Sequence, residues 1–431
     1  MKNLRYYVYW LLDVLRGAKI KGNLNEIKNL MNLENVQEWQ VGKINALLSE
    51  ASAHCSFYKE YSKYNRLSEC PIINKETIKS NYEDILSDKY DRNTLHKMST
   101  SGSTGTPFEI LQNKEKRQRV LAELIYFNSI LGQNIGDKYI FYRVWNEKNK
   151  KSKLEQIKQN LLPVNITRLD DENLKNIVDV LTKDKKLRST LAYANTYDMI
   201  YKYCCRNNIR QKTKVKAMIS SSEVLSDETR DGLEERLGCR VANRYSNQEC
   251  GVIAQSDMTT RKLRINNASY VVEVLNINDN NPAPRGTVGR IVITDLFNYA
   301  MPLIRYDTGD LGIVSEEADV YAFDSIAGRR VDLIYDTKGR ALSAHTWSVE
   351  MWKYDKLRQY QFIQDGAKDY TLKVNGAEGI YAKEDFDSTL RSILGEDANI
   401  TIEFVDEIPV VASGKFKKTI CNYTYNENDY K

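Results

Sequence analysis

A loop of small hydroxylated residues is the first segment whose residue types indicate chemistry. Residues 99–107 read STSGSTGTP, with three Ser, three Thr, two Gly and one Pro. Because Gly permits positive φ and close approach, such a loop can turn its backbone N–H groups inward and bind an anion, above all phosphate. The GxxxxGK[ST] pattern of a P-loop and the GxGxxG pattern are both absent. From these residues alone, phosphate binding and a flexible surface turn both stay open.

Four further segments carry charged or aromatic side chains that are suited to a polar site. In chain order they are RYSNQECG (244–251), IRYDTGD (304–310), GRRVDLI (328–334) and SGKFKK (413–418). Each has an ordinary explanation when it is considered by itself. The acid of the first segment suits an exposed surface, the TGD tripeptide suits a turn, and the cations of the last two suit solvent.

Taken together and in this order, the five motifs resemble those of the adenylate-forming (acyl-CoA synthetase-like) superfamily. The nearest likeness is to its phenylacetate–CoA ligase branch and to the CapK-type relatives found with capsule and O-antigen genes. The motifs extend from Ser99 to Lys418 and so span most of the chain. The resemblance implies an α/β fold with two domains. Residues 1–330 would form a large ATP- and carboxylate-binding domain with parallel-type sheets, and residues 331–431 a small, mobile α+β domain.

The resemblance also implies an ATP site assembled from these motifs. The loop would embrace the β- and γ-phosphates through Thr100, Ser101, Gly102, Ser103, Thr104 and Gly105. The adenine side would be formed by Ser222, Glu223, Tyr245, Ser246, Asn247 and Gln248, with the tyrosine stacked on the base. Asp310 would accept both ribose hydroxyls, a task that suits a carboxylate because it has two acceptor oxygens.

Three residues would act at the reacting phosphate, according to the same resemblance. Glu249 would hold Mg²⁺, Arg329 would contact the ribose and phosphate side, and Lys415 would be the mobile catalytic lysine of the small domain. The implied reaction converts ATP and a carboxylic acid to an acyl-adenylate and pyrophosphate. The acyl group then passes to CoA or to an amine, such as an amino sugar or an amino acid.

The chain departs from the family pattern at four motif positions. Thr106 stands where many members have a lysine, so the loop would bind phosphate less strongly. Ser246 replaces the usual glycine after the tyrosine, and Gln248 stands where threonine is frequent. Val331 replaces the first of two adjacent hinge aspartates, which leaves the behaviour of the hinge open.

The carboxylic acid would bind to the large domain, and two segments are candidates for its pocket. These are FYRVW (141–145) and LAYANTY (191–197), and the latter looks like the family's acid-side segment. The candidate side chains are Tyr142, Arg143, Trp145, Tyr193 and Asn195. Aromatic residues in strands also serve core packing, so this alternative stays open. His345, in the segment RALSAHTW, would face the acceptor or be an ordinary packed or exposed histidine.

Composition excludes several other classes of function. The net charge of +5 arises from 63 basic and 58 acidic residues, a near-balance that gives no reason to expect a nucleic-acid partner. Three widely separated histidines provide little for a His-based metal site or a Ser/His/Asp triad. Seven cysteines without a CxxC pair favour a reduced, cytoplasmic protein. The composition, rich in Lys, Asn, Ile and Tyr and poor in Pro, suits an AT-rich bacterial genome.

The elements that must position these residues follow α/β patterning. Helices are expected within 1–66 and at 114–131, with short strands on either side of the hydroxyl-rich loop. Strands and helices then alternate through KYIFYRVW, KVKAMISS, a helix at 227–238 and CRVANRYS. This alternation predicts a largely parallel sheet. Short strands dominate 264–314. A final strand, helix and strand predict the small α+β domain.

The first 22 residues, MKNLRYYVYWLLDVLRGAKIKG, are aromatic and apolar and are flanked by Lys and Arg. We expect neither a signal peptide nor a transmembrane segment, since no apolar run reaches about 18 residues. A helix packed on the protein's own core is the favoured interpretation, and a helix lying on a membrane surface is the alternative.

Two other classes of function compete with the ligase. One is a nucleotide-binding scaffold that has lost catalysis, and the retention of Glu249, Asp310, Arg329 and Lys415 argues against it. The other is an acyltransferase that uses a ready-made thioester without ATP. The lack of a histidine base in any recognisable motif argues against that class.

Overall fold

The computed structural model describes residues 3–33, 35–64, 66–99, 108–145, 150–166, 169–222, 225–317, 321–329, 334–342, 351–354, 356–376, 379–409, 417–423 and 425–430. Contacts between Cα atoms group the chain into two units, each made from two separate stretches. The first unit contains Met1–Asp137 and Ala242–Ile326, and the second contains Lys138–Val241 and Ala327–Lys431.

The helices of the first unit precede most of its strands. They are α1 (Leu4–Leu15), α2 (Lys19–Met31), α3 (Gln37–His54), α4 (Lys75–Ser80), α5 (Tyr82–Ile85) and α6 (Lys114–Ile130). Side-chain caps fix two of their starts, because Asn3 accepts from the N–H of Tyr6 and Asn74 accepts from the N–H of Thr77. The helices expected within 1–66 and at 114–131 are therefore present.

The strands of the first unit are mostly antiparallel. They are β1 (His96–Ser99), β2 (Glu109–Gln112), β7 (Arg240–Asn247), β8 (Gly251–Gln255), β9 (Leu263–Ile265), β10 (Tyr270–Leu275), β11 (Val288–Asp295), β12 (Tyr306–Val314) and β13 (Ala322–Arg329). The sheet order is β10-β11-β12-β13-β9-β8-β7. β1 and β2 form a separate antiparallel pair in which Ser99 faces Glu109. This pair confirms the strand–loop–strand unit predicted around STSGSTGTP.

Two hydrophobic clusters stabilise the first unit. The larger joins α3 and the aromatic segment after it to the sheet, through side chains such as Tyr58, Ile110 and Ile291. The smaller lies where α2 packs on α6, around Ile27 and Phe127. Burial of large apolar side chains on this scale is the main driving force for folding.

The second unit begins with parallel strands alternating with helices. The strands are β3 (Lys138–Arg143), β4 (Leu161–Asn165), β5 (Leu187–Tyr193) and β6 (Ala217–Ser221), in the parallel order β6-β5-β3-β4. The helices are α7 (Lys153–Gln159), α8 (Asp171–Lys183), α9 (Ala194–Arg206) and α10 (Asp227–Leu237). Ser226 caps the start of α10, and Gly238 ends it at a φ of +65°. The alternation and its parallel sheet confirm the predicted α/β pattern.

The later part of the second unit has α+β patterning. Its strands are β14 (Ile334–Tyr335), β15 (Ala341–Leu342), β16 (Gln359–Gln364), β17 (Asp369–Asn375), β18 (Asn399–Phe404) and β19 (Thr419–Cys421). Among its described residues the helix is α11 (Lys383–Leu394), which buries Phe386 and Leu390 against strand residues such as Phe362 and Leu372. The sheet order is β18-β17-β16-β19. The predicted C-terminal α+β domain is thus confirmed, while its boundary at 330/331 stays a prediction.

Candidate functional site

A bulge in strand β12 presents Asp310. Arg290 on β11 pairs with Leu311 and Val292 pairs with Asp307, so the residues 308–310 stand opposite Ile291 alone. Gly309 has a φ of +78°, a conformation that favours glycine. A bulge of this kind bends a strand and redirects its side chains. The TGD tripeptide, whose composition suits a turn, therefore lies within strand β12.

Tyr245 and Asp310 form a hydrogen-bonded pair. The Tyr245 hydroxyl donates to Asp310 Oδ2 at 2.8 Å, and its ring meets Phe323 edge to face at a centroid distance of 6.1 Å. Burial, followed by the charge of Asp310, raises the pKa of Tyr245 well above its usual value. The phenol therefore stays protonated and donates. The structure brings together two residues that are 65 positions apart and that the motifs assigned to one nucleotide.

Glu249 lies in the turn between β7 and β8, and its side chain is almost fully buried. Its Oε1 accepts from the Tyr306 hydroxyl at 3.2 Å, so the carboxylate is tied to the first residue of β12. Its backbone carbonyl accepts from Gln112 Nε2 at 2.9 Å. Because Gln112 ends β2, the strand that leaves the hydroxyl-rich loop is held directly on the Glu249 turn. Phe108, the residue that follows the loop, lies near the same carboxylate, because its ring stacks on that of Tyr306 at a centroid distance of 6.4 Å.

Lys75 is a residue of this site that the sequence analysis missed. Its Nζ lies 3.2 Å from Glu249 Oε1 and 5.5 Å from the centre of the Phe108 ring, just beyond the loop. Ile73, two residues before Lys75, fixes the position of this segment through two backbone hydrogen bonds. The N–H of Ile73 donates to the Arg305 carbonyl, and the N–H of Asp307 donates to the Ile73 carbonyl. Lys75 begins α4 within an ordinary INKET sequence, which carries no signal of a site.

The Glu249 carboxylate would bind Mg²⁺ only together with the phosphates of a nucleotide. Within the described ranges, no three His, Cys, Asp or Glu residues gather as a metal cluster. Mg²⁺ is commonly held by one or two carboxylates together with substrate phosphates and water. A single buried carboxylate such as that of Glu249 fits that mode of binding.

The other residues predicted to lie on the adenine side belong to two separate segments of the chain. Ser246 and Asn247 end β7, and the Asn247 side chain accepts from the N–H of Cys250 at 2.8 Å, which shapes the turn that holds Gln248. Ser222 lies in the second unit, directly after β6, and is exposed with a φ of +71°. Such a φ in a residue with a side chain stores local backbone strain. Their nucleotide contacts stay predictions.

Several predicted residues lie outside the described parts of the chain. These are Thr100, Ser101, Gly102, Ser103, Thr104, Gly105, Thr106, Glu223, Val331, His345 and Lys415. Arg329 is described only as the last residue of β13, without its side chain. The end of the lysine motif is anchored, because the carbonyls of Lys417 and Lys418 accept from Gln361 Nε2 and from the N–H of Phe362 at 2.8 and 2.9 Å.

The candidate pocket residues all lie in the second unit, in different surroundings. Tyr142 is fully buried in the hydrophobic cluster of the parallel sheet, and burial raises the pKa of its hydroxyl. Arg143 lies 5.9 Å from the ring centres of Phe141 and Trp145. Tyr193 precedes α9 and is half-buried against the same cluster. Tyr142 therefore contributes to packing, and a substrate role for it and for the others stays a prediction.

Asn195 lines a shallow cleft within the second unit. The cleft is formed by Asn195, Asp198, Met199, Lys202, Arg358, Gln359, Tyr360 and Lys418. Burial raises the pKa of Asp198, but the ammonium groups of Lys202 and Lys418 and a hydrogen bond from Thr229 outweigh burial and lower it. Lys418, three residues after the predicted catalytic lysine, thus shares this cleft with Asp198 of α9.

Comparison with known proteins finds similarity to CapK and to a related CoA ligase. Residues 334–422 match the family model of the CapK C-terminal domain. The chain is 26% identical over 424 residues to Protein CapK of Staphylococcus aureus, and the match covers 92% of each protein. It is 32% identical over 103 residues to the phenylacetate–coenzyme A ligase of Thermus thermophilus, covering 23% of each.

Solved structures share the fold at low sequence identity. A 2-hydroxyisobutyryl-CoA ligase in the postadenylation state superposes with a TM-score of 0.69 at 14% identity, covering 90% of this chain and 89% of the other. The anthranilate CoA ligase AuaEII in complex with anthranoyl-AMP gives a TM-score of 0.55 at 14% identity, covering 76% and 67%. The predicted resemblance to CapK-type adenylate-forming proteins and the predicted fold are confirmed.

Proposed function

We propose that this CapK homologue, which has the fold of the adenylate-forming ligases, is an ATP-dependent carboxylate-activating ligase. It would convert a carboxylic acid and ATP to an acyl-adenylate and pyrophosphate and then pass the acyl group to an acceptor. The observation that carries the proposal is the convergence of Phe108 at the loop exit, the Glu249 turn and the Tyr245–Asp310 pair in one unit.

The chemistry follows from this arrangement. A carboxylate oxygen of the substrate attacks the α-phosphorus of ATP, and pyrophosphate leaves. Negative charge gathers around phosphorus, and positive groups that are already in place stabilise it. Lys415 is proposed to supply an ammonium there, and Glu249 is the residue that would hold Mg²⁺, which neutralises phosphate charge when it is bound.

The mechanism requires no covalent enzyme nucleophile, and four buried cysteines are consistent with this. Burial raises the pKa of the Cys55 and Cys239 thiols to about 12 and that of Cys70 and Cys204 to about 11. A thiol with a raised pKa is a poor nucleophile at neutral pH. Acyl transfer therefore depends on the acceptor itself rather than on these side chains.

The acceptor is proposed to be CoA or an amine. The T. thermophilus relative and the structural neighbours are CoA ligases by name, which supports CoA. The likeness to CapK supports an amine on an amino sugar or an amino acid in surface polysaccharide biosynthesis. Both acceptors are consistent with an acyl-adenylate as the intermediate.

The test is carboxylate-dependent exchange of labelled pyrophosphate into ATP, measured without CoA across aryl, aliphatic, amino and sugar acids. We expect exchange with one class of acid, which would establish adenylation and identify the class of substrate together. CoA and amines are then compared as acceptors for that acid. ATP binding without exchange would favour the alternative, a degenerate nucleotide-binding scaffold. Absence of ATP binding would overturn the proposal.

Asp310→Ala is expected to weaken ATP binding about 10- to 100-fold, because two charge-assisted hydrogen bonds to the ribose would be lost. The measurement is ATP affinity by calorimetry. Asp324→Ala is the matched control, since Asp324 lies on the neighbouring strand β13 and pairs with Lys262 at 3.5 Å. An unchanged affinity of the Asp310 variant would remove that residue from the ribose site.

A further inference from the structure

Helix α1 presents an apolar face to the outside of its unit. The side chains of this face are 44% to 77% exposed and belong to Leu4, Tyr7, Val8, Leu11, Leu12, Val14 and Leu15. Positions 4, 7, 8, 11, 12 and 15 follow the i, i+3, i+4 spacing of one helical face. Scattered exposed leucines are ordinary, but a continuous stripe on one helix marks an interaction surface.

The opposite face of α1 fixes this orientation. Asp13 is buried, and its carboxylate accepts from the N–H groups of Ile20 and Lys21 at 3.2 and 2.9 Å. Trp10 packs against the cluster between α2 and α6. The Asn3 side chain donates to Asp137 at 3.3 Å. The expectation that α1 packs on the protein's own core therefore holds for one face only, and the protein's own contacts hold the apolar stripe outward.

The charges around this face are basic. Arg5, Arg16, Lys19 and Lys21 are exposed on or next to the helix. Asp13, the one acidic residue of α1, is turned inward. An apolar stripe edged with cations complements a surface of acyl chains beneath anionic headgroups. It does not complement a second copy of itself, which would bring two sets of cations together.

We propose that α1 docks this protein on anionic lipid membranes. Leu4, Leu11 and Leu15 would enter the headgroup boundary, and Arg16 and Lys19 would contact lipid phosphates. In the described part of the chain, no helix is long and apolar enough to cross a bilayer. The helix lies in the plane of the membrane, and attachment is reversible because it rests on one short helix. The proposal stands on the geometry of α1 and is independent of the ligase reaction.

The test is co-flotation of the full chain with phosphatidylcholine vesicles, with and without about 30 mol% phosphatidylglycerol. We expect binding to the anionic vesicles that falls with added salt and is much weaker to phosphatidylcholine alone. Replacing Leu4, Leu11 and Leu15 together by Ser should reduce partitioning at least about tenfold. The control is Leu154→Ser with Ile157→Ser, which changes residues 61% and 63% exposed on α7.

Three outcomes would overturn the proposal. The first is equal partitioning of the triple variant, the control variant and the unchanged protein. The second is equal binding to neutral and anionic vesicles. The third is sedimentation of the unchanged protein as a dimer that the triple variant dissociates, without vesicle binding, which would assign the face to a second copy. Thermal unfolding of the variants checks that the fold is retained, and failure of pyrophosphate exchange would leave the lipid result unaffected.

Discussion

Replacing Lys415 with alanine is expected to reduce adenylate formation by about 10²- to 10³-fold, the effect typical of losing one preorganised charge at a transition state. The second half-reaction, acyl transfer from a supplied acyl-adenylate, should be largely spared. The reason is that pyrophosphate and its charge have already departed when the acceptor attacks. In the family that this chain resembles, the small domain also rotates between the two steps and withdraws this lysine.

The measurement compares pyrophosphate exchange with acceptor-dependent consumption of the acyl-adenylate in the same preparation. Lys368→Ala is the matched control, since Lys368 is an exposed lysine of the C-terminal sheet region that pairs with Asp397 at 2.6 Å. It should change neither rate. Equal loss of both half-reactions in the Lys415 variant would contradict the assigned role.

The strand–loop–strand unit and helix α6 could be predicted because local sequence determines them. Short β-like flanks surround a loop of Gly and hydroxyl residues, and a long segment without Gly or Pro follows it. The pair β1–β2 and the helix Lys114–Ile130 agree closely with that prediction. The alternating strands and helices of the second unit could be predicted for the same reason.

The presentation of Asp310 could be predicted only in part. TGD has the composition of a turn, and Gly309 does adopt a positive φ. The tripeptide nevertheless lies inside β12, because the strand resumes its pairing with β11 on both sides of the bulge. Register between strands depends on residues far apart in the chain, so no local pattern reveals it.

Lys75 could not be found from the sequence. Its place beside Glu249 depends on the bridge between Ile73 and Tyr306, residues more than 200 positions apart. The choice between the two interpretations of α1 could not be made from the sequence for a related reason. Periodicity shows that a helix has an apolar stripe, but the buried Asp13 and the contacts of Trp10 decide which face turns inward.

Replacing Lys116 with methionine is expected to lower the free energy of unfolding by about 3–5 kcal/mol, because one partner of a buried ion pair would be removed. Lys116 and Asp295 are both fully buried, with Nζ 2.7 Å from Oδ2. Lys116 also donates to the Tyr270 hydroxyl at 3.0 Å, and that hydroxyl lies 2.9 Å from the Cys250 carbonyl. Through Tyr270, the ion pair therefore stabilises the turn that carries Glu249.

A double-mutant cycle distinguishes pairing from packing in urea unfolding experiments. Lys116→Met leaves the Asp295 carboxylate buried without its ammonium, whereas Lys116→Met combined with Asp295→Asn removes the charge from both positions. We expect the double variant to recover about 1–3 kcal/mol relative to the sum of the single changes, the coupling typical of residues in contact. Additive effects would contradict the pairing.

The Lys116→Met substitution should also affect the candidate site around Glu249. Tyr270 links Lys116 to the Cys250 carbonyl, and the Glu123 carboxylate next to it accepts from the N–H of Val252 at 3.3 Å. Both contacts hold the start of β8, directly after the turn that carries Glu249. Loss of Lys116 is therefore expected to lower pyrophosphate exchange even at temperatures where the variant stays folded. Full exchange activity in a folded Lys116→Met variant would show that the Glu249 turn keeps its geometry without the Lys116–Asp295 pair. The pair would then contribute to stability alone.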